Sequence, residues 1–272
     1  MHLDLIESLT IAGTPGGAND DRVGLAGSHG WVIDGCTDLG DPGLLGTRGG
    51  AAWIAGEADR AFAGGEGDLG HICRHVFDTV ARRYAECRTR EAEPWELPSA
   101  AFLAVAVRDA TLECAWLGDC PAVLIRDGAV TRIGPQPEGR DAELALARSL
   151  AHHGLGQVRR AAPVLERLRA QRANPERRVL GVNPAGAAHL LRERRPCGAG
   201  DKLLLMSDGF AALLDQYALI GAAALPELLR TEGLAGLARR LRMAEAGDAE
   251  CTRWPRFKRG DDASALWLRI AG

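Results

Sequence analysis

The chain has 272 residues, of which 46% are hydrophobic and 25% are charged, and its formal net charge is −3. This balance is ordinary for a globular protein and gives no support to a nucleic-acid or membrane-surface role. No apolar stretch approaches the length that spans a bilayer. We therefore expect one domain over residues 1–272, with no nucleic-acid and no membrane partner.

The N-terminus and the cysteines indicate the cellular compartment. The sequence opens MHLDLIESLT, which carries acids early and lacks the basic start and apolar run of a secretory signal. The seven cysteines are odd in number and contain no Cys-x-x-Cys pair, which argues against a disulfide framework or a cysteine zinc site. Together these features predict a cytoplasmic protein.

Hydrophobic periodicity predicts strands interleaved with helical blocks. Strand-like runs lie near residues 3–11, 23–33, 101–108, 111–118, 121–126, 129–133, 188–194, 203–207 and 263–270. The clearest helix is predicted over 69–87, where apolar residues recur at three- and four-residue steps, and further helical blocks are predicted near 138–172 and 222–246. Strands this close in sequence pair most simply as antiparallel neighbours. The pattern predicts an α+β fold of antiparallel sheets with helices outside.

The stretch 135–185 differs from the rest in being rich in Arg and Ala, with two Asn-Pro steps that mark loop boundaries. It predicts a partly helical insertion over one end of the sheets. We interpret its arginines as a solvated helix face, and a docking surface for an acidic or phosphorylated partner is the alternative. These arginines are Arg159, Arg160, Arg167, Arg169, Arg172, Arg177 and Arg178.

Acidic residues recur beside predicted strands. The apolar run LLLM is followed by Asp208 and Gly209, and WVI is followed by Asp34 and Gly35. The other acidic sites of this kind are Asp20-Asp21, Asp119 and Asp261-Asp262. Each site alone is more typical of a turn than of a ligand set. Five such sites in one chain predict a carboxylate cluster if the sheets bring the strand ends together.

A carboxylate cluster needs a cation. Like charges in close proximity repel, and some would take up protons unless a divalent ion were bound. Hard oxygen ligands without companion His or Cys favour Mg²⁺ or Mn²⁺ over Zn²⁺. Two such ions can lower the pKa of a bridging water and clamp a phosphoryl group for in-line attack.

The order and spacing of these segments resemble the metal-dependent serine/threonine protein phosphatases, the PPM-type (type 2C-like) family, in its bacterial form. The matching segments are NDDR, WVIDG, WLGDCPAVLIRDG, GDKLLLMSDGF and DDASALWLRI, and they cover nearly the whole chain in the family's order. The resemblance implies a four-layer α-β-β-α sandwich of two antiparallel sheets flanked by helices, with a dinuclear metal centre at one end. The insertion at 135–185 lies where the family carries its flap, a segment linked to substrate choice.

By position, the resemblance also implies ligands for a first metal ion. Asp34 would bridge both metals, and the Gly35 carbonyl would bind one of them. Asp208 and Asp261 would complete the shell of the first metal.

The remaining acids would serve the second metal and a weaker third one. Asp20, where the family usually has Glu, would act on the second metal through water, and Asp21 would orient metal-bound waters. Asp119 with Asp208 matches the pair that holds a third metal in bacterial members.

The sequence departs from the family pattern at several positions. The stretch GTPGGAN lacks the arginine that usually grips the substrate phosphate, and Arg48 is a candidate substitute, with a surface arginine as the alternative. Cys36 replaces a His that some members use as a proposed general acid. Cys120 replaces the Ser of the Gly-Asp-Ser block. Asp262 replaces the Asn of the closing Asp-Asn pair and would add a charge near the metals.

The resulting hypothesis is a cytoplasmic Mn²⁺- or Mg²⁺-dependent phosphatase of phosphoserine and phosphothreonine in proteins. Water would be the nucleophile, and the substrate would be a phosphorylated protein, including a signalling protein paired with a kinase. Two alternatives stay open at this point. The missing arginine favours a phosphatase-like binding module without turnover, and a phosphatase of small phosphoesters fits the same residues.

Overall fold

A computed structural model of the chain describes residues 1–47, 49–156 and 161–272. Its strands are β1 (His2–Ile11), β2 (Arg22–Ala26), β3 (His29–Gly35), β4 (Ala100–Arg108), β5 (Thr111–Leu117), β6 (Ala122–Arg126), β7 (Ala129–Ile133), β8 (Leu191–Pro196), β9 (Lys202–Met206) and β10 (Ala263–Ala271). Its α-helices are α1 (Gly49–Ala63), α2 (Leu69–Cys87), α3 (Asp141–Ser149), α4 (Ala162–Arg172), α5 (Asp208–Asp215) and α6 (Leu225–Gly247). None of the helices in the described ranges is both long and apolar enough to cross a membrane.

The strands form two five-stranded sheets in which every neighbouring pair is antiparallel. One sheet has the order β1-β10-β9-β6-β7 and the other the order β2-β3-β4-β5-β8. The inner faces meet in an apolar layer to which both sheets contribute, including Val32 and Leu103 from one and Leu205 and Leu268 from the other. Alternation along each strand places these side chains inward, and their burial stabilises the sandwich.

Helices cover both outer faces of the sandwich. On one side α1 and α2 pack Phe62 and Phe77 against Phe102 of β4. On the other side α5 and α6 pack Phe210 and Leu237 against β9 and β10. The α+β class and the four-layer α-β-β-α arrangement are thereby confirmed.

The segmentation differs from the sequence prediction at four places. The run 23–33 is a hairpin of β2 and β3 instead of one strand, because Gly27 adopts a φ of 57° that reverses the chain. The block 138–172 is divided between α3 and α4, and the strand predicted near 188 begins at Leu191 after a short 3₁₀-helix at Pro184–His189. Asp208 and Gly209 open α5 instead of forming a turn.

The chain brings the ends of several strands to one edge of the sandwich. Asp34, near the end of β3, pairs with Ala101 of β4, and a Cβ added to Gly118 would lie 2.5 Å from the Ala101 Cβ. Gly209, in α5 just after β9, lies so close to the segment before β10 that an added Cβ would overlap the carbonyl oxygen of Asp262. Glycine is required at these close approaches, which set how near the acidic segments lie to one another.

We predict that Gly209→Ala destabilises the protein although it places alanine in a helix. Helix propensity favours alanine over glycine by about 1 kcal/mol, whereas overpacking against a backbone carbonyl costs about 1–3 kcal/mol and also displaces Asp262. Urea unfolding in EDTA measures the difference. Gly247→Ala is the matched control, because an added Cβ there meets no atom within 4 Å. An unfolding free energy for Gly209→Ala equal to that of the wild type would contradict this packing.

Candidate active site

The predicted metal-binding residues converge on one cavity at this edge. Asp34 and Gly35 end β3, Asp119 lies between β5 and β6, Asp208 opens α5 after β9, and Asp261 precedes β10. All five line a cavity of about 440 Å³. The structure therefore brings together residues that are up to 227 positions apart by pairing the strands that carry them.

Asp34 lies at the electrostatic centre of this group. Burial raises the pKa of its carboxyl well above the ordinary value, and the charges of Asp21, Asp208, Asp261 and Asp119 raise it further. Because each neighbour is itself an acid, a proton or a cation is needed for these groups to coexist. The site thus favours positive charge at Asp34.

Asp21 is the most deeply buried of the acids, with 2% of its surface exposed. Neither carboxylate oxygen has a hydrogen-bond partner of normal geometry within the described residues. Burial raises its pKa to about 8, and the approach of the Ser207 and Ser264 hydroxyls offsets only part of the effect of burial and of Asp261. A buried carboxylate with two unsatisfied oxygens fits a bound cation or a water held by one.

Asp20 joins the site through its backbone as well as its carboxylate. Its carbonyl oxygen lies 2.8 Å from the position a Cβ would take at Gly35, so the two segments are in close contact. Burial raises the pKa of Asp20 to about 6, and the nearby charges of Asp262 and Asp38 contribute. Asp20 therefore lies at the rim of the same acidic centre, although it is not among the residues that line the cavity.

Asp262 fastens the N-terminal segment to this centre. Its carboxylate accepts hydrogen bonds from the backbone N–H of Gly13, at 2.8 Å, and of Asp20, at 2.6 Å. Two backbone donors are a good environment for a carboxylate. The acid at this position, expected to add charge near the metals, thus also has a structural role that the sequence did not show.

The insertion contributes cations that the sequence analysis assigned to solvent. Arg169 donates to the Leu39 carbonyl at 2.8 Å, and Arg172 donates to the Thr37 carbonyl at 3.1 Å. A terminal nitrogen of Arg177 lies 3.8 Å from the Cys36 sulfur, next to Gly35. The interpretation as a solvated face is therefore wrong for these three, because the insertion folds back over the cavity. It holds for Arg167, which is exposed on α4, whereas Arg178 is exposed but lies beyond the end of that helix.

Two other predicted features have different outcomes. Arg48, the candidate phosphate ligand, lies outside the described residues, as do Arg159 and Arg160. Cys120 is fully buried in the layer between the sheets, and burial next to Asp34 raises the pKa of its thiol well above the usual range. It therefore acts as a small apolar side chain.

Lys258 is a site residue that the sequence analysis missed. Its ammonium nitrogen lies 2.5 Å from a carboxylate oxygen of Asp261, and it lines the same cavity. Among the described residues, no three His, Cys, Asp or Glu side chains are arranged so that they could hold a metal ion as they stand. The carboxylates are gathered at the site without being closed around a single point. The one signal in the sequence is rarity, because Lys258 and Lys202 are its only lysines.

Comparison with known proteins identifies the fold. No family model and no curated sequence matches the chain. Among solved structures, it is similar to the serine/threonine phosphatase PstP/Ppp of Mycobacterium tuberculosis, with 18% identity, 100% coverage of both chains and a TM-score of 0.60. The PstP catalytic domain in complex with two manganese ions matches at 18% identity, with 99% coverage of both chains and a TM-score of 0.57.

A third match is the PPM phosphatase MsPP of Mycobacterium smegmatis in complex with cacodylate, with 20% identity, 98% and 99% coverage and a TM-score of 0.56. The chain thus has the fold of the PPM-type serine/threonine phosphatases over its full length. The resemblance inferred from the five motifs is confirmed at the level of fold.

We predict that Asp21→Asn stabilises the metal-free protein at high pH. A carboxyl whose pKa is raised on folding lowers stability as pH rises from about 4 through about 8, because the folded state holds the proton more tightly than the unfolded state. The amide removes this penalty, so the melting temperature in EDTA should exceed that of the wild type by about 2–8 °C at pH 8.5 and by less at pH 5. Asp127→Asn, in the exposed β6–β7 turn, is the control. A difference that does not vary with pH would contradict the assignment.

Proposed function

We propose that the protein is a metal-dependent phosphatase that hydrolyses phosphoserine and phosphothreonine in proteins. The observation that supports this most directly is the convergence of Asp34, Asp119, Asp208 and Asp261 on one cavity in a fold shared with PPM-type phosphatases. We treat 1–272 as one cytoplasmic catalytic domain, with 135–185 as its flap. A phosphorylated signalling protein with its kinase is the expected partner class.

The donor set fits hard divalent ions. We propose that Asp34, the Gly35 carbonyl, Asp208 and Asp261 would hold two Mn²⁺ or Mg²⁺ ions, with Asp208 and Asp261 serving the first of them. When bound, such ions supply Lewis acidity and a water that is deprotonated near neutral pH. The protein supplies a rigid sheet edge on which these carboxylates are fixed.

The outer acids have separate roles in this proposal. Asp20 would serve the second ion, and Asp119 with Asp208 would hold a weaker third one. Asp21, with its two unsatisfied buried oxygens, accepts hydrogen bonds from water and so orients the nucleophile. Cys36 and Cys120 take no part in proton transfer, and the leaving group obtains its proton from water.

In this proposal, the side chain that binds the substrate phosphate comes from the insertion at 135–185. The side chain of Arg172 is held by carbonyl oxygens. Within the described part of the chain, the Arg177 side chain makes a weak polar contact to Cys36. Both line the cavity with Asp34 and Asp208. A guanidinium can make two parallel charged hydrogen bonds to a phosphate, which is the function that GTPGGAN cannot supply. Arg177 is therefore our candidate for the substrate clamp.

A second candidate function is a phosphatase-like binding module. It is favoured by the stretch GTPGGAN, which lacks the usual phosphate-binding arginine, and by the Lys258 ammonium beside Asp261. A small-phosphoester phosphatase is separated from a protein phosphatase only by comparing substrates. Activity with and without metal decides between the enzyme and the binding module.

We predict hydrolysis of p-nitrophenyl phosphate and of a phosphothreonine peptide with Mn²⁺, and none in EDTA. Asp208→Asn should lower kcat/KM by about 100-fold or more, because one neutral ligand weakens ion binding by several kcal/mol. Asp127→Asn makes the same chemical change in a turn remote from the cavity and should leave the rate unchanged. Metal-independent turnover, or full activity of Asp208→Asn, would refute the proposal. Mn²⁺ binding without turnover would favour the binding module.

We predict that Arg177→Ala raises KM for the phosphopeptide about 10-fold, with a smaller effect on kcat. Loss of one charged bidentate contact accounts for a change of this size. Arg178→Ala is the matched control because the neighbouring side chain is exposed. Inhibition by inorganic phosphate should weaken in parallel in Arg177→Ala. Equal KM values for the two variants would exclude Arg177 as the clamp.

A further inference from the structure

Lys258 forms an ion pair inside the acidic centre. Its ammonium nitrogen is 2.5 Å from Asp261, and about one third of each side chain is exposed. Lys258 lines the same cavity as Asp34, Asp208 and Asp261. A lysine ammonium in contact with a carboxylate is charged at neutral pH, so it lies in the combined field of these acids.

The same three acids are the proposed ligands of the first metal ion. The ammonium contacts one of these ligands, Asp261, and lines the same cavity as the other two. Both cannot make their closest contacts with Asp261 at once, because like charges repel at short range. The chain itself therefore supplies a cation, the Lys258 ammonium, that competes with a metal ion for Asp261.

Hydrogen bonds and an ion pair hold the loop that carries Lys258 in place. Asp248, at the end of α6, accepts backbone hydrogen bonds from Thr252, Arg253 and Trp254. The buried Arg256 pairs with Asp248 at 2.6 Å and donates to the Arg259 carbonyl at 2.9 Å. These hydrogen bonds hold the backbone on both sides of Lys258.

Asp261 is held from the opposite side. Arg242 of α6 donates to the Asp261 carbonyl at 2.8 Å and to the Ala12 carbonyl at 3.1 Å. The backbones on both sides of the ion pair are therefore fixed, and the flexible part is the lysine side chain. A four-carbon chain can swing its ammonium away without disturbing the loop.

We propose that Lys258 is a displaceable internal cation, which pairs with Asp261 beside the other first-metal carboxylates in the metal-free protein and leaves Asp261 when a divalent ion binds. The inference rests on the proposed metal dependence. It predicts that the metal-free fold is stabilised by the ammonium and that divalent affinity is lower than the carboxylates alone would give. The first ion would bind only where its concentration is high enough to displace Lys258.

The presence of only two lysines makes the test direct. Calorimetry with Mn²⁺ should show at least 10-fold tighter binding to Lys258→Met than to wild type, and the variant should melt at a lower temperature in EDTA. Lys202→Met removes the same charge at β9, where the ammonium lies 5.9 Å from the Trp267 ring centre, and should change neither quantity. Lys258→Arg should retain weak binding.

NMR of ¹³C-lysine-labelled protein follows the displacement itself. The spectrum has two lysine Cε signals, assigned with the two Met variants. Saturating Mg²⁺ should move the Lys258 signal to the position of a solvated lysine and leave that of Lys202 in place. An unmoved Lys258 signal at saturation, or equal Mn²⁺ affinity of the two Met variants, would overturn the inference.

The same measurements distinguish failure of this inference from failure of the proposed function. If Mn²⁺ binds more tightly to Lys258→Met but neither protein hydrolyses phosphoester, the internal cation stands and the phosphatase proposal falls. If wild type binds no Mn²⁺ and Lys258→Met does, the inference also stands. If neither binds Mn²⁺, both fall.

Discussion

Repulsion between carboxylates at one edge of the sandwich is the constraint on which the rest of the site depends. Burial and mutual charge raise the pKa values of Asp20, Asp21 and Asp34, which means that the metal-free fold works against its own electrostatics. The two apolar sheets supply the stability that makes this tolerable. A site of this kind is selective for positive charge before any substrate arrives.

The neighbouring cations relieve this repulsion in different ways. Lys258 enters the cluster and contacts a proposed metal ligand, whereas Arg172 and Arg177 lie above it and contact backbone oxygen and sulfur. In the proposed function, Lys258 would affect which cation the acids bind, and the arginines would affect which anion approaches them. The groups for both tasks come from separate segments of the chain that line one cavity.

The sequence predicted the elements whose signals are local. The helix at 69–87 was recovered to the residue because its apolar side chains repeat at helical spacing. The acids at strand ends were found because glycine and short apolar runs mark those ends. Their assembly was inferred only through the resemblance to a phosphatase family, since nothing local states which strand ends meet.

Features that depend on contacts between distant parts of the chain were not predicted from the sequence. Arg172 and Arg177 carry the pattern of a solvated helix face, and only the folded insertion turns them toward the cavity. Asp262 looked like an extra charge, and its role depends on Gly13 and Asp20, about 240 residues earlier. Asp208 and Gly209 read as a turn because the start of a helix and a turn share the same residues. Such ambiguities are resolved by tertiary structure and not by composition.

The position of β10 determines when the acidic centre is completed during synthesis of the chain. β10 lies between β1 and β9 in its sheet, and Asp261 and Asp262 stand immediately before it. During synthesis β1 and β9 both precede the strand that joins them, so Asp261 and Asp262 reach this edge after the other acids of the centre. The acidic centre is therefore completed only when β10 pairs with its two neighbours, and its full electrostatic cost arises with that pairing.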